Sequence, residues 1–195
     1  SSVLLVSACG GNSESGSTSS TVQGGGSSAM GTFQKTCSAV YPDHTINYTA
    51  SSSGTGRTAF ASGEVDFGGS DDPVKENDPQ RPVFGHIPVI GAPIVIAYNV
   101  AGLTSLKLDT IALGLIWQGK ILKWNDSIIQ ELNPGKKLPD KSIVVAYRSS
   151  SSGTSGNFSG YLTANNAEGW SRNSTITTAN GVGDPAGGLG FTSCG

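Results

Sequence analysis

The chain has 195 residues, which is enough for one domain of good size or for two small lobes. Charged residues make up 13% and hydrophobic residues 36%, and the formal net charge is -2, so the basic surplus that nucleic-acid binding requires is absent. No apolar run is long enough to span a bilayer.

The N-terminus carries a short apolar stretch that ends in small residues and a cysteine. The run Val6-Ser7-Ala8-Cys9 looks like a bacterial lipobox, which predicts that residues 1–9 are the end of a signal peptide and that Cys9 is the lipid-attachment residue. The chain is therefore expected to be an extracytoplasmic lipoprotein anchored to the cell membrane. A disordered or mis-started N-terminus is the alternative.

A glycine- and serine-rich tract follows, with almost no large side chain between residues 10 and 26. Such a composition is typical of a flexible tether rather than of a core element. We assign residues 10–23 as a flexible linker and begin the folded part at residue 24.

The first half of the chain alternates turns with short apolar elements. Helical spacing predicts an amphipathic helix after a serine-rich start, on Met30, Phe33, Cys37 and Tyr41. Ile46 and Tyr48 alternate with polar neighbours, as in a strand. The further predictions are a turn at 51–56, a short helix at 57–62 and a short strand at 65–67.

The second half continues the alternation. The richly apolar residues 87–98 predict a buried strand that passes between two lobes. The remaining predictions are a helix at 109–117, a short helix capped by Asp126, a strand at 142–147 and a helix that carries Phe158, Tyr161 and Leu162. Strands that alternate with helices indicate an α/β architecture.

Four turns share one design, at residues 26–29, 52–54, 69–71 and 148–154. Three of them end a predicted strand or open a predicted helix, where unsatisfied N–H groups attract anions. Serine and threonine add hydroxyl donors, and Arg148 adds a planar cation suited to two oxygens. The set predicts an oxyanion site, although a single Ser-Gly turn usually only caps a helix.

Asp71 is a carboxylate among these anion-binding turns. It fits a ligand that carries a proton, because a carboxylate accepts a hydrogen bond from that proton. Phosphate near neutral pH carries at least one proton and sulfate carries none, so Asp71 favours phosphate and disfavours sulfate. The alternative is that Asp71 caps a helix.

Several longer segments resemble the phosphate-binding proteins of bacterial ABC importers. The match runs in order from about Gly24 to Ser155, through residues 65–71, 89–91, 119–126, 132–135 and 148–155. The resemblance implies a periplasmic-binding-protein-like fold of the class II type. Two α/β lobes, at 24–98 and 99–195, would close over phosphate about a hinge.

The resemblance also implies the residues that contact phosphate. Ser28 would supply a hydroxyl, Ala29 a backbone N–H, and Ser53 a donor from the next turn, and Asp71 would accept the ligand's proton. The other lobe's contacts would come from Arg148, Ser152, Gly153 and Thr154. Ser150 stands where some relatives have an acid that pairs with the arginine.

The expected partners are inorganic phosphate, the membrane permease of an ABC importer and the membrane through a lipid anchor, with the protein acting as a monomer. No cofactor, metal or nucleic acid is expected. No histidine lies in the four turns and neither a G-x-S-x-G elbow nor a P-loop motif is present, so a binding protein is favoured over an enzyme. The alternatives are a binder of sulfate or molybdate, a phosphate-ester hydrolase and a surface lipoprotein or adhesin.

The C-terminal part departs from the family pattern. From about Gly181 the match fades, and family members usually continue well beyond residue 195. We therefore expect an incomplete fold that folds poorly alone. A disulfide between Cys37 and Cys194 is compatible with an extracytoplasmic setting but is not established by the sequence.

Overall fold

The computed structural model describes residues 20–74, 84–165, 167, 170 and 181–183, and these residues contain two small sheets and five α-helices. The strands are β1 (Thr21–Ser27), β2 (Thr45–Ser51), β3 (Phe67–Gly69), β4 (Val145–Tyr147) and β5 (Gly181–Gly183). The helices are α1 (Gly31–Ala39), α2 (Ser53–Ser62), α3 (Thr110–Trp117), α4 (Ser127–Leu132) and α5 (Gly153–Ala164), and a 3-10 turn at Ser28–Met30 precedes α1.

The first sheet has the strand order β2-β1-β3, and both pairings are parallel. Its register aligns Ser27 with Ser51 and Gly26 with Gly69. The carboxyl ends of all three strands therefore meet at one edge, which is where parallel sheets place their ligands. We call residues 20–74, with this sheet, α1 and α2, the sheet unit.

Residues 103–165 form a second group around α3, α4, β4 and α5, which we call the helical unit. One apolar cluster lies beneath α3 and α4 and a second lies between α3 and α5. Their buried members are Leu113, Ile116, Ile121, Ile129, Leu138, Ile143, Val145, Phe158, Leu162 and Ala167. β4 pairs with β5 in parallel.

Asn133 fixes the loop before α3 to the end of α4. Its side chain is buried, with 1% exposed. Its amide nitrogen donates to the carbonyls of Lys107 (2.8 Å) and Ile129 (2.9 Å), and its oxygen accepts from the Lys107 N–H (2.8 Å). A buried amide that is paired in this way stabilises the loop at little desolvation cost.

Helix predictions in the helical unit are confirmed. Asp109 caps α3 by accepting from the Ala112 N–H (2.7 Å), and Asp126 caps α4 by accepting from the Ile128 N–H (3.0 Å). Both are the acceptor type that an N-cap favours. The predicted helix around Phe158 is also present, as α5.

The predicted linker is wrong at its end. Residues 21–26 belong to β1, so the assigned boundary at residue 23 lies inside a strand. Pairing on both sides, with β2 and β3, holds this glycine-rich segment in the sheet despite its composition. Cys9 and the rest of residues 1–19 lie outside the described residues.

The predicted buried strand at 87–98 is also wrong. This segment has no regular secondary structure, and most of its apolar side chains are exposed, with 82% of Ile87 and 58% of Val95 accessible. Apolar composition indicated burial but could not supply a pairing partner. Two smaller differences are that α2 begins at Ser53, inside the predicted turn, and that β3 lies two residues later than predicted.

Two further expectations concern a disulfide between Cys37 and Cys194 and the absence of a membrane-spanning segment. Cys37 carries a free thiol, and Cys194 lies outside the described residues. In the part of the chain that the structure describes, the helices are all too short or too polar to cross a bilayer.

Candidate functional site

The N-termini of α2 and α5 face each other. Ser52 caps α2 by accepting from the Thr55 N–H (3.2 Å), and Ser152 caps α5 by accepting from the Ser155 N–H (3.5 Å). The Gly54 N–H donates across the junction to the Ser151 carbonyl (3.1 Å). Because helix N-termini carry partial positive charge, their convergence favours an anion.

Glycine at position 153 permits this close approach. A Cβ added to Gly153 would lie 2.6 Å from Ser53 Oγ and 2.7 Å from the backbone nitrogen of Asp72. Both distances are shorter than real Cβ contacts, so any side chain would move α5 away from the sheet unit.

Asp71 lies at the centre of the junction and is held by both units. The Ser27 hydroxyl donates to Oδ1, and Thr154 Oγ1 donates to Oδ2 (3.1 Å). The Asp71 N–H donates to Ser53 Oγ (3.3 Å), and Asn157 Nδ2 donates to the Asp71 carbonyl (2.6 Å). Asp71 therefore has a fixed backbone and a carboxylate turned toward hydroxyl groups.

Tyr48 supports the site from the sheet. Its hydroxyl donates to the Ser27 carbonyl (2.9 Å), and its ring stacks on Phe67. Burial, with the negative charge of Asp71 as a smaller cause, raises the pKa of Tyr48 to about 12. The neutral phenol therefore remains a donor to Ser27 across the physiological range.

Two arginines stand near these turns. Arg148 directly follows β4, and its Nη2 donates to Ser150 Oγ (2.9 Å). Arg57 on α2 donates from Nη1 to Ser70 Oγ (3.0 Å), beside Asp71 in the sequence. An open groove of about 1350 Å³ runs past Ala29, Arg57, Asp71 and Thr154.

The structure brings most of the predicted site residues together. Ser53, Asp71, Ser152, Gly153 and Thr154 lie around the junction of α2 and α5. Residues 72–74 are not helical, so Asp71 does not cap a helix that begins directly after it.

Ser28 and Ala29 lie at the rim. Both are exposed, and the Ala29 N–H donates to Ser27 Oγ (3.2 Å). Arg148 is half-buried in the loop before α5 and donates to Ser150 Oγ.

Sequence reasoning missed two residues of the site. Ser27 was passed over in favour of its neighbour Ser28, although it is buried and contacts Asp71. Asn157 lies one helical turn after Thr154, and this spacing is the signal that could have identified it. Among the described residues, no group of acidic, histidine and cysteine side chains could hold a metal ion.

Comparison with known proteins extends these observations. A protein-family model described as a PBP superfamily domain matches residues 10–194, so the expectation that the match fades from about Gly181 is wrong. The phosphate-binding protein PstS 3 of Mycobacterium leprae is 40% identical over 193 residues, which cover 95% of this chain and 51% of the relative. The phosphate-binding protein PstS 2 of Mycobacterium tuberculosis is 38% identical over 194 residues, with the same coverage of 95% and 51%. This chain thus spans about half the length of the curated relatives it matches.

Solved structures give the fold. Two structures of phosphate-binding protein from Stenotrophomonas maltophilia align with TM-scores of 0.56 and 0.53 at 22% and 21% identity. Each alignment covers 86% of this chain and 54% or 55% of the other chain. The predicted α/β fold class of periplasmic binding proteins is thereby confirmed, as is the resemblance to phosphate-binding proteins.

Proposed function

Because the chain belongs to the PBP superfamily, we propose that it is a solute-binding protein that captures inorganic phosphate and delivers it to the permease of an ABC importer. The position of Asp71 carries this proposal. The carboxylate lies between two opposed helix N-termini and accepts hydrogen bonds from hydroxyl groups of both units. The names of the relatives support the same ligand.

The chemistry of Asp71 favours a protonated oxyanion. Helix N-termini and hydroxyl groups would attract the charged oxygens of the ligand, while the carboxylate would accept the proton that phosphate carries. A fully ionised anion such as sulfate would place an oxygen against the carboxylate with no proton between them. Buried mismatches of this kind reduce affinity by orders of magnitude.

We assign the ligand contacts to residues on both units. Ser28, Ala29, Ser53 and Asp71 would act from the sheet unit, and the other contacts would come from Arg148, Ser152, Gly153 and Thr154. Ser150 is neutral, so its hydrogen bond does not neutralise the arginine. Capture would close two lobes, assigned to residues 24–98 and 99–195, and release would follow their opening.

The proposed role is binding without turnover. His44 lies in the loop before β2, where its ring is hydrogen-bonded to Ser20. His86 lines the groove, but its Nε2 accepts from the Val74 N–H (3.1 Å). Micromolar capture needs about 8 kcal/mol net. A few charge-assisted hydrogen bonds of about 1.5–3 kcal/mol each are sufficient for this. We propose a monomer that uses no cofactor.

The anchor is a separate proposal that rests on the sequence Val6-Ser7-Ala8-Cys9. Lipidation at Cys9 would hold the protein at the outer face of the membrane. Cys9→Ser is expected to move the protein from the membrane fraction to the soluble extracytoplasmic fraction. Retention of the variant in the membrane fraction would contradict the assignment.

Titration of the full chain with phosphate and sulfate tests the ligand. We expect micromolar or tighter phosphate binding and negligible sulfate binding. Asp71→Asn should weaken phosphate binding about 10- to 100-fold, because a charge-assisted acceptor is lost. Asp43→Asn, which neutralises an exposed aspartate away from the junction, is the control and should bind as the parent does.

Two outcomes would overturn the proposal. Equal affinity for phosphate and sulfate would contradict the role given to Asp71. Release of phosphate from an ester substrate would favour a hydrolase instead.

A further inference from the structure

We infer that Asn157 is a positioning residue that fixes Asp71 and holds the sheet unit against the helical unit in the closed arrangement. This inference rests on the proposed function for its ligand, and it concerns a residue outside the contact set assigned above. In this role Asn157 slows the release of phosphate without contacting phosphate directly.

The first observation is the hydrogen bond itself. Asn157 Nδ2 donates to the main-chain carbonyl of Asp71 at 2.6 Å, between residues 86 positions apart. The bond is partly buried and joins the second turn of α5 to the end of the sheet unit. Because it contacts the main chain, it constrains where the Asp71 backbone can lie rather than which rotamer its side chain adopts.

The second observation is that the two units form hydrogen bonds to different atoms of Asp71. The sheet unit holds its N–H through Ser53 and one carboxylate oxygen through Ser27. The helical unit holds the other carboxylate oxygen through Thr154 and the carbonyl through Asn157. Thr154 and the carboxylate are assigned to the ligand, so their mutual bond must adjust when phosphate enters. The bond from Asn157 uses no ligand-binding atom and can persist in the bound state.

The third observation is packing that leaves α5 close to residues 71 and 72. A Cβ added to Gly156 would lie 2.8 Å from Asp72 Oδ2, so the helix backbone directly faces that carboxylate. At this separation the short asparagine side chain reaches the Asp71 carbonyl. The close approach of α5 at Gly156 therefore sets the distance that the Asn157 side chain spans.

The consequence is kinetic. A bond that forms only when the units are together stabilises the closed state and has no counterpart in the open state. Its removal should raise the rate of phosphate release more than it lowers the rate of capture, as is usual for contacts made after encounter. The net contribution of one such hydrogen bond corresponds to about a 3- to 10-fold change.

Two substitutions in the full chain test this role. Asn157→Leu removes the donor at similar size, and Asn157→Asp keeps the shape but places a carboxylate against a carbonyl. Asn165→Asp is the matched control, because Asn165 lies at the C-terminal end of the same helix and donates locally to the Tyr161 carbonyl (2.8 Å). Phosphate dissociation rates, equilibrium affinities and urea midpoints are measured for each protein.

We expect both Asn157 variants to release phosphate about 3- to 10-fold faster, with capture rates within about twofold of the parent. Asn165→Asp should match the parent in both rates. Parental release rates in both Asn157 variants would overturn the inference. An equal acceleration in Asn165→Asp would also overturn it, since it would indicate a general loosening of α5.

A second readout does not depend on phosphate. The Gly54 N–H donates to Ser151 across the junction, whereas the Gly56 N–H donates to Ser52 within α2 (3.0 Å). Residue-resolved hydrogen exchange without ligand should become about 3- to 10-fold faster at Gly54 in Asn157→Leu and stay unchanged at Gly56. Unchanged exchange at Gly54 would refute the inference. Failure of the parent to bind phosphate would instead refute the proposed function alone.

Discussion

At the scale of a single residue, Tyr48 connects the first sheet to the charged carboxylate of Asp71. Its phenol is held neutral by burial and by the nearby Asp71 carboxylate, which together raise its pKa to about 12. An unfolded tyrosine loses its proton near pH 10. Above pH 10 the unfolded chain therefore releases this proton first, and folding stability is lost as the pH rises toward 12.

Below pH 10 the ionisation of Tyr48 is accordingly expected to leave the free energy of unfolding unchanged. Between pH 10 and 12 it should lower the free energy of unfolding. Absorbance titration of the phenol should reveal a late component near pH 12 that Tyr48→Phe removes. Urea unfolding of the same two proteins at pH 8 and pH 11 measures the effect on stability. A late component that survives in Tyr48→Phe would assign it to another tyrosine.

The predictability of the site also differs residue by residue. Asp71 could be predicted because a carboxylate among anion-binding turns calls for a ligand that carries a proton. Gly153 was predicted only from the family resemblance. Ser27 could not be separated from Ser28, since either hydroxyl fits the turn and only the direction of β1 decides which is buried. Asn157 needed the fold, because 86 residues separate it from its partner.

At the scale of elements, α2 packs on the first sheet through backbone rather than side chains. Gly56 lies over Gly26 and Gly69, and a Cβ added to Gly56 would lie 2.5 Å from the Gly26 Cα and 2.9 Å from the Gly69 carbonyl oxygen. No flexible side chain is available there to move aside. The N-terminus of α2 is held at the site edge by this contact.

Gly56→Ala is therefore expected to destabilise the protein by about 1–3 kcal/mol, because overpacking exceeds the gain in helix propensity. Thr58→Ala, at an exposed position of the same helix, should change stability by less than about 0.5 kcal/mol. Urea unfolding followed by circular dichroism measures both. A Gly56→Ala protein as stable as the parent would mean that α2 can shift without cost.

Elements were predictable where local chemistry determines them. Asp109 and Asp126 precede apolar residues at helical spacing, and α3 and α4 begin directly after them. β1 was not predictable, because glycine favours flexibility until partner strands on both sides fix it. The prediction of a buried strand at residues 87–98 failed for the opposite reason. Apolar composition does not identify the surface that would cover these residues.

For the whole molecule, apolar burial is distributed unevenly. Both buried apolar clusters of the described residues belong to the helical unit and the residues that follow it. In the sheet unit the buried positions are mainly glycines and serines, with Met30 as the large apolar side chain. Since apolar area is the main source of stability, the sheet unit should be the less stable of the two.

Unfolding should therefore begin in the sheet unit. The three tryptophans, Trp117, Trp124 and Trp170, report on the helical unit and its C-terminal continuation, whereas amide exchange in β1 and β2 reports on the sheet unit. In urea without ligand, we expect protection in β1 and β2 to be lost before tryptophan fluorescence changes. Phosphate should bring the two transitions together, because its proposed contacts come from both units. Coincident transitions without phosphate would contradict this order.

The bonds around Asp71 join parts of the chain that are 44, 83 and 86 residues apart. Contacts of such long range form late in folding, after the loops between them have closed. Phosphate, as the proposed ligand, should therefore recognise only a chain that has already completed the junction. It should slow unfolding without speeding folding, so that ligand binding reports on finished molecules and leaves the folding route unchanged.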